Sequence, residues 1–288
     1  MPSPRVYPAH AIVLRRINLG ETDKILTLLT REKGKLNAVA KGARRPASRL
    51  VGATELFGYC RMLMAVGQNL DVVTQVEVRQ SFPHLRHSLE KIAAASYMTE
   101  LVDHFSEERL PHEEIFDLLL TGLTVLDMLD DPGLIVTAFT LQLLAVAGYT
   151  PVFSECARCH ADDGEFHAFS ASMGGVVCRV CRASVKDAIP AAPESLDAAR
   201  ALLAWQLPQA SQLELSDRAR GQVLRLIRAF LNYRTDRPMK SARFLDELLA
   251  AQKMEEAAAA LETAPDEDAA QDGDVAPDGD DAPEGGRT

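Results

Sequence analysis

The chain has 288 residues, of which 47% are hydrophobic and 25% charged, and its formal net charge at pH 7 is −10. A chain of this length can bury a sizeable core and is expected to form two or three modules. No apolar stretch is long and uninterrupted enough to predict a membrane span, and no signal peptide opens the chain, so we expect a cytoplasmic protein without a membrane partner.

The first eighty residues have a pattern that is typical of short strands separated by turn residues. The predicted strands are 10–17, 24–29, 35–40, 56–66 and 70–78. Five short strands that close on themselves predict a small barrel over residues 1–80. At this level the pattern fits an oligonucleotide-binding (OB) fold and an SH3-like barrel equally well.

The same segment is basic, with 13 Lys and Arg against 6 Asp and Glu. Most of the excess lies in seven residues that we call the basic strip: Arg31, Lys33, Lys35, Lys41, Arg44, Arg45 and Arg49. Such a strip is an electrostatic footprint for a phosphate backbone, whereas a solvated surface loop explains the same clustering. Charge alone does not choose between the two interpretations.

After Phe82-Pro83 the apolar residues recur at spacings of three and four, which predicts an α-helical domain over residues 81–152 and 183–252. The helices are expected at 85–105, 112–129, 133–147, 193–206 and 217–233, with a last helix near Ser241. Ser216 is expected to cap the helix that follows it.

Cys156, Cys159, Cys178 and Cys181 form a C-x2-C-x18-C-x2-C array, a spacing at which four thiolates converge on one tetrahedral zinc. Four thiolates leave no position for water, so we expect a structural Zn²⁺ in a module over residues 153–182. In this module the metal is expected to replace a hydrophobic core. The second cysteine pair is expected at the end of a hairpin with arms 165–170 and 175–178.

Two other interpretations of the array remain open, namely a pair of disulfides and a redox-active C-x-x-C. A reducing cytosol disfavours disulfides, and a redox motif needs a single pair beside a βαβ pattern. His160 and His167 lie inside the loop and could substitute as ligands, although four cysteines suffice. Cys60 lies in an apolar run and is interpreted as a buried small hydrophobe.

An acidic tail over residues 253–288 ends the chain. From Glu255 to Thr288 twelve acidic residues and one basic residue contribute −11, so residues 1–254 carry only +1. The tail has almost no large apolar side chain, and we expect it to be disordered. A solubilising role is favoured over a regulatory one, in which the tail would compete with polyanions for the basic strip.

Motifs for catalysis are scarce. The sequence has no Gly-rich loop of the phosphate-binding or dinucleotide-binding kind and no H-E-x-x-H. Glu107-Glu108 and Glu113-Glu114 could form a nuclease-type carboxylate cluster, but they are explained more simply by a solvated surface or by electrostatic support of a helix start. We therefore expect a protein without enzymatic activity.

The opening run AIVLRRINLGETDKILTLLTREKGKLNAVAKGARRPASRL resembles the start of the bacterial recombination mediator family RecO. The most specific pieces are Gly20-Glu21-Thr22-Asp23, Thr30-Arg31-Glu32-Lys33-Gly34, and Lys41-Gly42-Ala43-Arg44-Arg45 followed by Ser48. The order of modules fits as well, and the resemblance covers residues 5 to about 250 but not the acidic tail. It implies an α+β multidomain fold: a five-stranded OB-fold β-barrel, then an α-helical domain that carries an inserted four-cysteine zinc module.

The resemblance implies a non-enzymatic DNA-repair mediator that binds single- and double-stranded DNA and anneals complementary strands. It also implies RecR as the main partner and assistance in loading the recombinase onto DNA coated by single-strand-binding protein (SSB). A cytoplasmic location, with nucleoid association during repair, follows from the same resemblance.

Charge density and the matched motif assign the phosphate contacts to Lys35, Lys41, Arg44, Arg45 and Arg49, with Arg31 and Lys33 second. The strip contains no aromatic residue for base stacking, so we expect mainly electrostatic binding. A second basic stretch is a candidate site for the SSB C-terminal peptide or for a second DNA contact, against the alternative of an ordinary amphipathic helix: Arg225, Arg228, Arg234 and Arg237. Two other functions remain open, a zinc-stabilised protein–protein adaptor without direct DNA binding and a metal-dependent nuclease.

Overall fold

The protein is described by a computed structural model over residues 5–129, 131–162, 165–235, 239–248 and 250–251. The acidic tail predicted over residues 253–288 lies outside these described residues. Within the same ranges, no helix combines the length and the apolar character that a bilayer crossing requires.

The N-terminal strands close into a five-stranded barrel, as their turn pattern predicted. The elements are β1 (Val6–Leu19), β2 (Asp23–Thr30), β3 (Gly34–Ala40), α1 (Leu50–Ala53), β4 (Tyr59–Ala65) and β5 (Asp71–Gln80). The order around the barrel is β1-β2-β3-β5-β4, with β3 and β5 parallel and the other neighbours antiparallel. The barrel is of the OB type, because it combines this strand order with a short helix between β3 and β4.

Alternating burial along the strands gives the barrel its own core. In β3, for example, Leu36 and Ala38 are buried and alternate with partly exposed neighbours, as the two-residue period of a strand requires. Met62 and Met64 of β4 line the same core. The predicted burial of Cys60 is confirmed, and its thiol donates to the Ala53 carbonyl at 3.5 Å.

After the barrel and a single 3-10 turn at His84–His87, the described residues are mainly helical and include one small sheet. In chain order the elements are α2 (Leu89–Phe105), α3 (Glu113–Met128), α4 (Gly133–Val146), β6 (Ala168–Ser170), β7 (Gly175–Val176), α5 (Arg179–Arg182), β8 (Ala188–Pro190), α6 (Pro193–Ala204), α7 (Leu207–Ala210) and α8 (Asp217–Arg234). Residues 240–248 are helical as well. The predicted cap is confirmed, since the Ala219 amide donates to the Ser216 hydroxyl at 3.2 Å.

The barrel and the helices share one apolar core. Four buried side chains of the barrel pack against the buried side chains of α2, α3 and α4 instead of lining the barrel's interior: Ile12, Leu14, Leu29 and Phe57. α4 is buried on nearly every side, which explains why its sequence is apolar without a polar face. The barrel therefore presents one side to solvent and another to the helical domain.

Four short elements were not predicted, namely α1, α5, α7 and β8, and β8 adds a strand to the sheet of the cysteine module. The short helices α1 and α7 lie in segments that the sequence analysis left irregular or at a helix end. β8 pairs with β6 through Phe169 and Ile189, so the sheet of the module extends past residue 182, where the sequence placed its end. A three-residue strand has too short a pattern to be predicted locally, since its pairing is set by a partner distant in the chain.

Candidate nucleic-acid interface and metal centre

The basic loop, residues 41–49 between β3 and α1, is held against the turn between β1 and β2. The Gly42 amide donates to the Asp23 carboxylate at 2.8 Å, and the Arg44 amide donates to the Thr22 carbonyl at 2.9 Å. The Arg44 guanidinium donates to the Gly20 carbonyl at 2.6 Å. Residues 20–23 and 41–45, which the sequence singled out as separate pieces, therefore form one contact.

Electrostatics keep this contact intact at neutral pH. The pKa of Asp23 lies below its ordinary value, first because the Gly42 amide donates to the carboxylate and next because the Thr22 hydroxyl does. The nearby charges of Lys41 and Arg45 lower the pKa further. Asp23 is therefore ionised and anchors the start of the basic loop.

Four cations of the basic loop are exposed: Lys41, Arg44, Arg45 and Arg49. Residues 41–49 contain no acid. Among the described residues, the ion pairs of the barrel are formed by other cations, including Arg16, Lys24 and Arg31. The four cations thus form no ion pair among the described residues, and the neighbouring Asp23 offsets only part of the positive charge that the loop presents to solvent.

Two other residues of the basic strip contact the helical domain. The Arg31 guanidinium pairs with Asp117 and lies over the Phe116 ring, 5.3 Å from its centroid. The Lys35 ammonium lies 3.0 Å from the Asp103 carboxylate and also donates a hydrogen bond to the backbone carbonyl of Asp103. Sequence reasoning missed both acids, because no local pattern indicates which strand cation faces a helix carboxylate.

A buried carboxylate joins the barrel to the loop between α2 and α3. Asp71 is 0% exposed and accepts hydrogen bonds from the Tyr7 hydroxyl, the Arg109 guanidinium and the Gly67 amide. Burial and then the bond to Asp71 raise the pKa of Tyr7 above its ordinary range. Burial alone would raise the pKa of Asp71, but the three donors outweigh it and lower that pKa. Lys33, the remaining residue of the strip, lies over the Tyr7 ring at 5.5 Å.

The four cysteines converge on one point. The sulfurs of Cys156, Cys159, Cys178 and Cys181 all lie within 4.8 Å of one another, and those of Cys159 and Cys178 are 3.8 Å apart. Sulfurs that each lie about 2.3 Å from a tetrahedral zinc would be separated by about 3.8 Å. The donor set and its spacing therefore fit a four-coordinate metal ion that prefers thiolates.

Backbone amides favour a thiolate in this cluster. The Cys178 amide donates to the Cys156 sulfur at 3.3 Å, and the Cys181 amide donates to the Cys178 sulfur at 3.5 Å. Burial opposes ionisation of Cys156, but amide donors outweigh it and lower the pKa of this thiol to about 6. Burial and hydrogen bonds to the other sulfurs raise the pKa of Cys181 to about 12. A bound cation would supply the charge that allows all four to ionise.

The histidines of the module have other contacts. The ring of His160 lies 2.8 Å from the Glu155 carboxylate, and its backbone turns with φ 61°, so that its amide donates to the Cys156 carbonyl. His167 lies 3.4 Å from Glu165. Within the described residues, the cluster of candidate metal ligands contains the four cysteines and neither histidine.

The cysteine module is packed into the main core, which differs from the expectation that metal replaces a core. The rings of Phe153 and Phe169 stack at 5.8 Å, and Phe169 meets Phe230 of α8 edge-on at 6.0 Å. The Arg200 guanidinium of α6 donates twice to the Phe153 carbonyl. Cys156 itself belongs to this core. Apolar contacts therefore hold the module in place, and a metal bound by the cysteines would add to them.

The second basic stretch is only partly available at the surface. Arg225 and Arg234 are exposed on α8, whereas Arg228 is partly buried and pairs with Asp246. Arg234 lies over an aromatic ring of its own helix, 5.0 Å from the centroid. Arg237 lies outside the described residues.

The acids that could suggest a nuclease do not assemble into a site. Among the described residues, the four cysteines are the potential metal ligands whose donor atoms converge on one point. No group of three or more carboxylates in the same residues converges in this way. Glu113 instead lies 3.5 Å from Arg31.

Comparison with known proteins gives consistent matches over the barrel and the helical domain. A family model described as "Recombination protein O N terminal" matches residues 5–82, and one described as "Recombination protein O C terminal" matches residues 86–243. A DNA repair protein RecO of Pelotomaculum thermopropionicum is 40% identical over 242 residues, which cover 84% of this chain and 94% of that protein. Proteins of the same description from Symbiobacterium thermophilum and a Roseiflexus species are each 37% identical, covering 86% and 85% of this chain and 99% and 86% of their own lengths.

Proposed function

Because the chain belongs to the RecO family of DNA repair proteins, we propose that it binds single- and double-stranded DNA through its barrel and anneals complementary strands. In the same proposal it acts in the cytoplasm with RecR and helps to load the recombinase onto SSB-coated DNA at the nucleoid. No catalytic site is required, since annealing neither forms nor breaks a covalent bond.

The basic loop carries this proposal. Four cations, Lys41, Arg44, Arg45 and Arg49, are exposed together on a loop whose start is fixed by Asp23. An anchored loop loses less conformational freedom when it binds than a mobile one. Cations of this density bind the phosphate backbone with little sequence preference, and release counterions as they do so.

Annealing follows from the same electrostatics. Two complementary strands repel each other through their phosphates, and cations placed between them lower this repulsion while the bases pair. Arg31 and Lys35 take a smaller part in this proposal than the loop, because their charges are paired with Asp117 and Asp103.

We propose that the four cysteines hold a structural Zn²⁺. Four thiolates fill the tetrahedral shell of this ion and leave it no open position for substrate. The role of Cys156, Cys159, Cys178 and Cys181 is then to join the two C-x-x-C turns and to keep Phe153 and Phe169 packed against α8. The proposed division of the chain keeps a barrel over residues 1–80, the cysteine module and the helical domain on either side of it.

The SSB peptide remains a secondary part of the proposal. Arg225 and Arg234 are both exposed, but among the described residues only Arg225 of the two has no aromatic or carboxylate contact, and it would take a carboxylate of the acidic peptide. Replacement of Arg225 with Ala should weaken the binding of an SSB C-terminal peptide, measured by anisotropy, and leave DNA binding nearly unchanged.

The decisive experiment is fluorescence anisotropy of a labelled single-stranded oligonucleotide over a salt series, without nucleotide or added magnesium. The wild-type chain should bind tightly at low salt and lose affinity steeply as salt rises. Arg44→Ala/Arg45→Ala should weaken binding and lower the salt slope by about 1.4, at about 0.7 per lost phosphate contact on a single strand.

Arg61→Ala is the matched control, because Arg61 is an exposed cation of β4 outside the basic loop. It should leave the slope unchanged. If the wild-type chain does not bind at low salt, the protein-only adaptor becomes the better description. If strands are cleaved when divalent metal is added, the chain is a nuclease and the proposal is wrong.

A further inference from the structure

The cysteine module carries a second set of cations that the basic strip does not include. We call these four residues the knuckle patch, and all of them are exposed: Arg158, Arg179, Arg182 and Lys186. Within the described ranges none of the four pairs with a carboxylate; the ion pairs found in the module are those of His160 and His167.

Three of these cations are chain neighbours of cysteines in the cluster. Arg158 directly precedes Cys159, and Arg179 directly follows Cys178. Because the sulfurs of these two cysteines are 3.8 Å apart, the backbone segments that carry the two arginines come from different parts of the chain to the same cysteine cluster. Arg182 follows the next cysteine in the same way and lies on α5.

The acids of the module are separated from this surface along the chain. Residues 175–186 contain no acid, whereas the described acids of the module lie around the first cysteine pair: Glu155 directly precedes it, and Asp162 and Glu165 follow it. Asp187, which follows the patch, is occupied by hydrogen bonds from Ser170 and Ser172. Positive charge is therefore concentrated around the second pair.

An apolar side chain marks the centre of the patch. Val180 lies between Cys178 and Cys181, and its side chain is 84% exposed. No other large hydrophobic residue in the described part of the chain is as exposed. A single exposed valine is not unusual. Flanked by Arg179 and Arg182, however, it gives the surface an apolar contact in addition to its charge.

A simpler role for the arginines would be to balance the negative charge of four metal-bound thiolates. The hydrogen bonds argue against it. The donors to cysteine sulfur among the described residues include the backbone amides of Cys178 and Cys181, but no guanidinium. Among the described residues, the guanidinium groups of Arg158, Arg179 and Arg182 therefore make no direct hydrogen bond to a cysteine sulfur.

We propose that the knuckle patch is a second contact for the phosphate backbone of DNA, distinct from the basic loop. The inference rests on the proposed function, and it explains how one chain brings two strands together. The basic loop is on the barrel, and the knuckle patch is on the metal module that packs against α6 and α8. Guanidinium groups suit phosphate because their planar donors bind two oxygens at once.

The test uses the full-length chain with Arg179→Gln/Arg182→Gln and a fluorescein-labelled single-stranded oligonucleotide over a salt series. The slope of affinity against salt should fall by about 1.4 for two lost contacts. The rate at which two complementary oligonucleotides anneal should fall as well, while the zinc content and its resistance to a chelator stay those of the wild type.

Failure of this inference can be distinguished from failure of the proposed function. If Arg44→Ala/Arg45→Ala weakens DNA binding but the glutamine variant leaves slope and annealing unchanged, the basic loop is sufficient and the knuckle patch has no role with DNA. Loss of zinc in the glutamine variant would instead assign the arginines to charge balance. Weaker binding of an acidic peptide, with DNA binding unchanged, would assign the patch to a protein partner.

A second variant avoids any change to the arginines. Val180→Glu places a negative charge at the centre of the knuckle patch without altering a metal ligand, and it should weaken DNA binding and slow annealing. Met173→Glu is the matched control, since Met173 is an exposed apolar residue of the same module at the hairpin turn and is 41% exposed. Equal effects of the two glutamates would overturn the assignment to Val180 and its neighbours.

Discussion

The guanidinium of Arg109 donates to both carboxylate oxygens of Asp71, at distances of 3.3 and 3.4 Å. Arg109 reaches this position from a left-handed backbone with φ 57°, and its amide donates to the Lys35 carbonyl at 2.7 Å. The loop between α2 and α3 is thereby joined to the barrel through polar contacts. An apolar interface fixes how closely two modules pack, whereas these directional bonds fix how they are aligned.

Removing the buried carboxylate should destabilise the protein. Asp71→Ala leaves the Tyr7 hydroxyl and the Gly67 amide without their partner, and we expect the free energy of unfolding to fall by about 3 kcal/mol in urea titrations. Tyr7→Phe removes a single hydrogen bond and should cost about 1 kcal/mol. Equal stability of Asp71→Ala and the wild type would show that Arg109 and Tyr7 are satisfied by water.

The same carboxylate predicts a dependence on pH. The pKa of Asp71 is lower in the folded chain than its ordinary value, so the folded state takes up the proton less readily than the unfolded state. Its contribution is therefore complete above about pH 4 and is lost as the pH falls through the folded pKa. The difference in unfolding free energy between wild type and Asp71→Asn should shrink between pH 7 and pH 3, and a constant difference would contradict this.

Gly34 shows how closely the two modules approach each other. A Cβ at this residue would lie 2.0 Å from the Leu110 carbonyl oxygen, and its backbone has φ 67°. Gly34→Ala should therefore lower the free energy of unfolding through both strain and overlap, by about 3 kcal/mol in all. Gly20→Ala is the matched control, because Gly20 has φ 58° but open space around its Cα, and only about 1 kcal/mol of strain is expected. Similar losses for the two variants would contradict the close approach.

Local sequence signals were sufficient for the five barrel strands, the hairpin of the cysteine module, most of the longer helices and the cysteine cluster. Alternation predicted β3 because Leu36 and Ala38 had to face a core, and the C-x-x-C pairs predicted convergence because metal spacing is stereotyped. The cap at Ser216 was predicted for the same reason, since its hydroxyl acts within one turn.

The contacts between modules could not be predicted in this way. Lys35 and Asp103 are 68 residues apart, and nothing in either local pattern indicates that they meet. The charge cluster in the sequence therefore did not distinguish Lys35, which is paired, from Arg44, which is exposed. The burial of Cys156 could not be predicted locally either, because Cys156 belongs to the apolar core that also contains Phe153 and Phe169.

Loss of the metal ligands should unfold the cysteine module and weaken the core beside it. Cys156→Ser/Cys159→Ser should contain no zinc by elemental mass spectrometry. Its thermal midpoint should fall by about 10 °C, because the binding free energy of a structural metal is part of the folding free energy. Cys60→Ala is the matched control, since it removes a buried thiol outside the cluster, and it should keep one zinc per chain and cost about 1 kcal/mol. A metal-free double variant with the midpoint of the wild type would exclude a structural role for the site.

The basic strip should separate into residues that stabilise the fold and residues that bind DNA. Lys35 is 19% exposed in its side chain and lies 3.0 Å from the Asp103 carboxylate. Lys35→Met keeps the aliphatic stem and removes the charge, so it should lower the free energy of unfolding by about 1 to 2 kcal/mol and change DNA affinity little. Arg44→Ala/Arg45→Ala should do the reverse, because these side chains are exposed on the basic loop.

Asp103→Asn provides the test of this separation. If Lys35 acts through Asp103, the loss of stability in the double variant Lys35→Met/Asp103→Asn should be smaller than the sum of the two single losses, as expected for groups in direct contact. Urea unfolding measures the stabilities, and anisotropy with a labelled oligonucleotide measures the DNA affinities of the same preparations. A loss of affinity in Lys35→Met as large as that in Arg44→Ala/Arg45→Ala, without a loss of stability, would return Lys35 to the DNA interface, because its charge would then be available to phosphate despite its contact with Asp103.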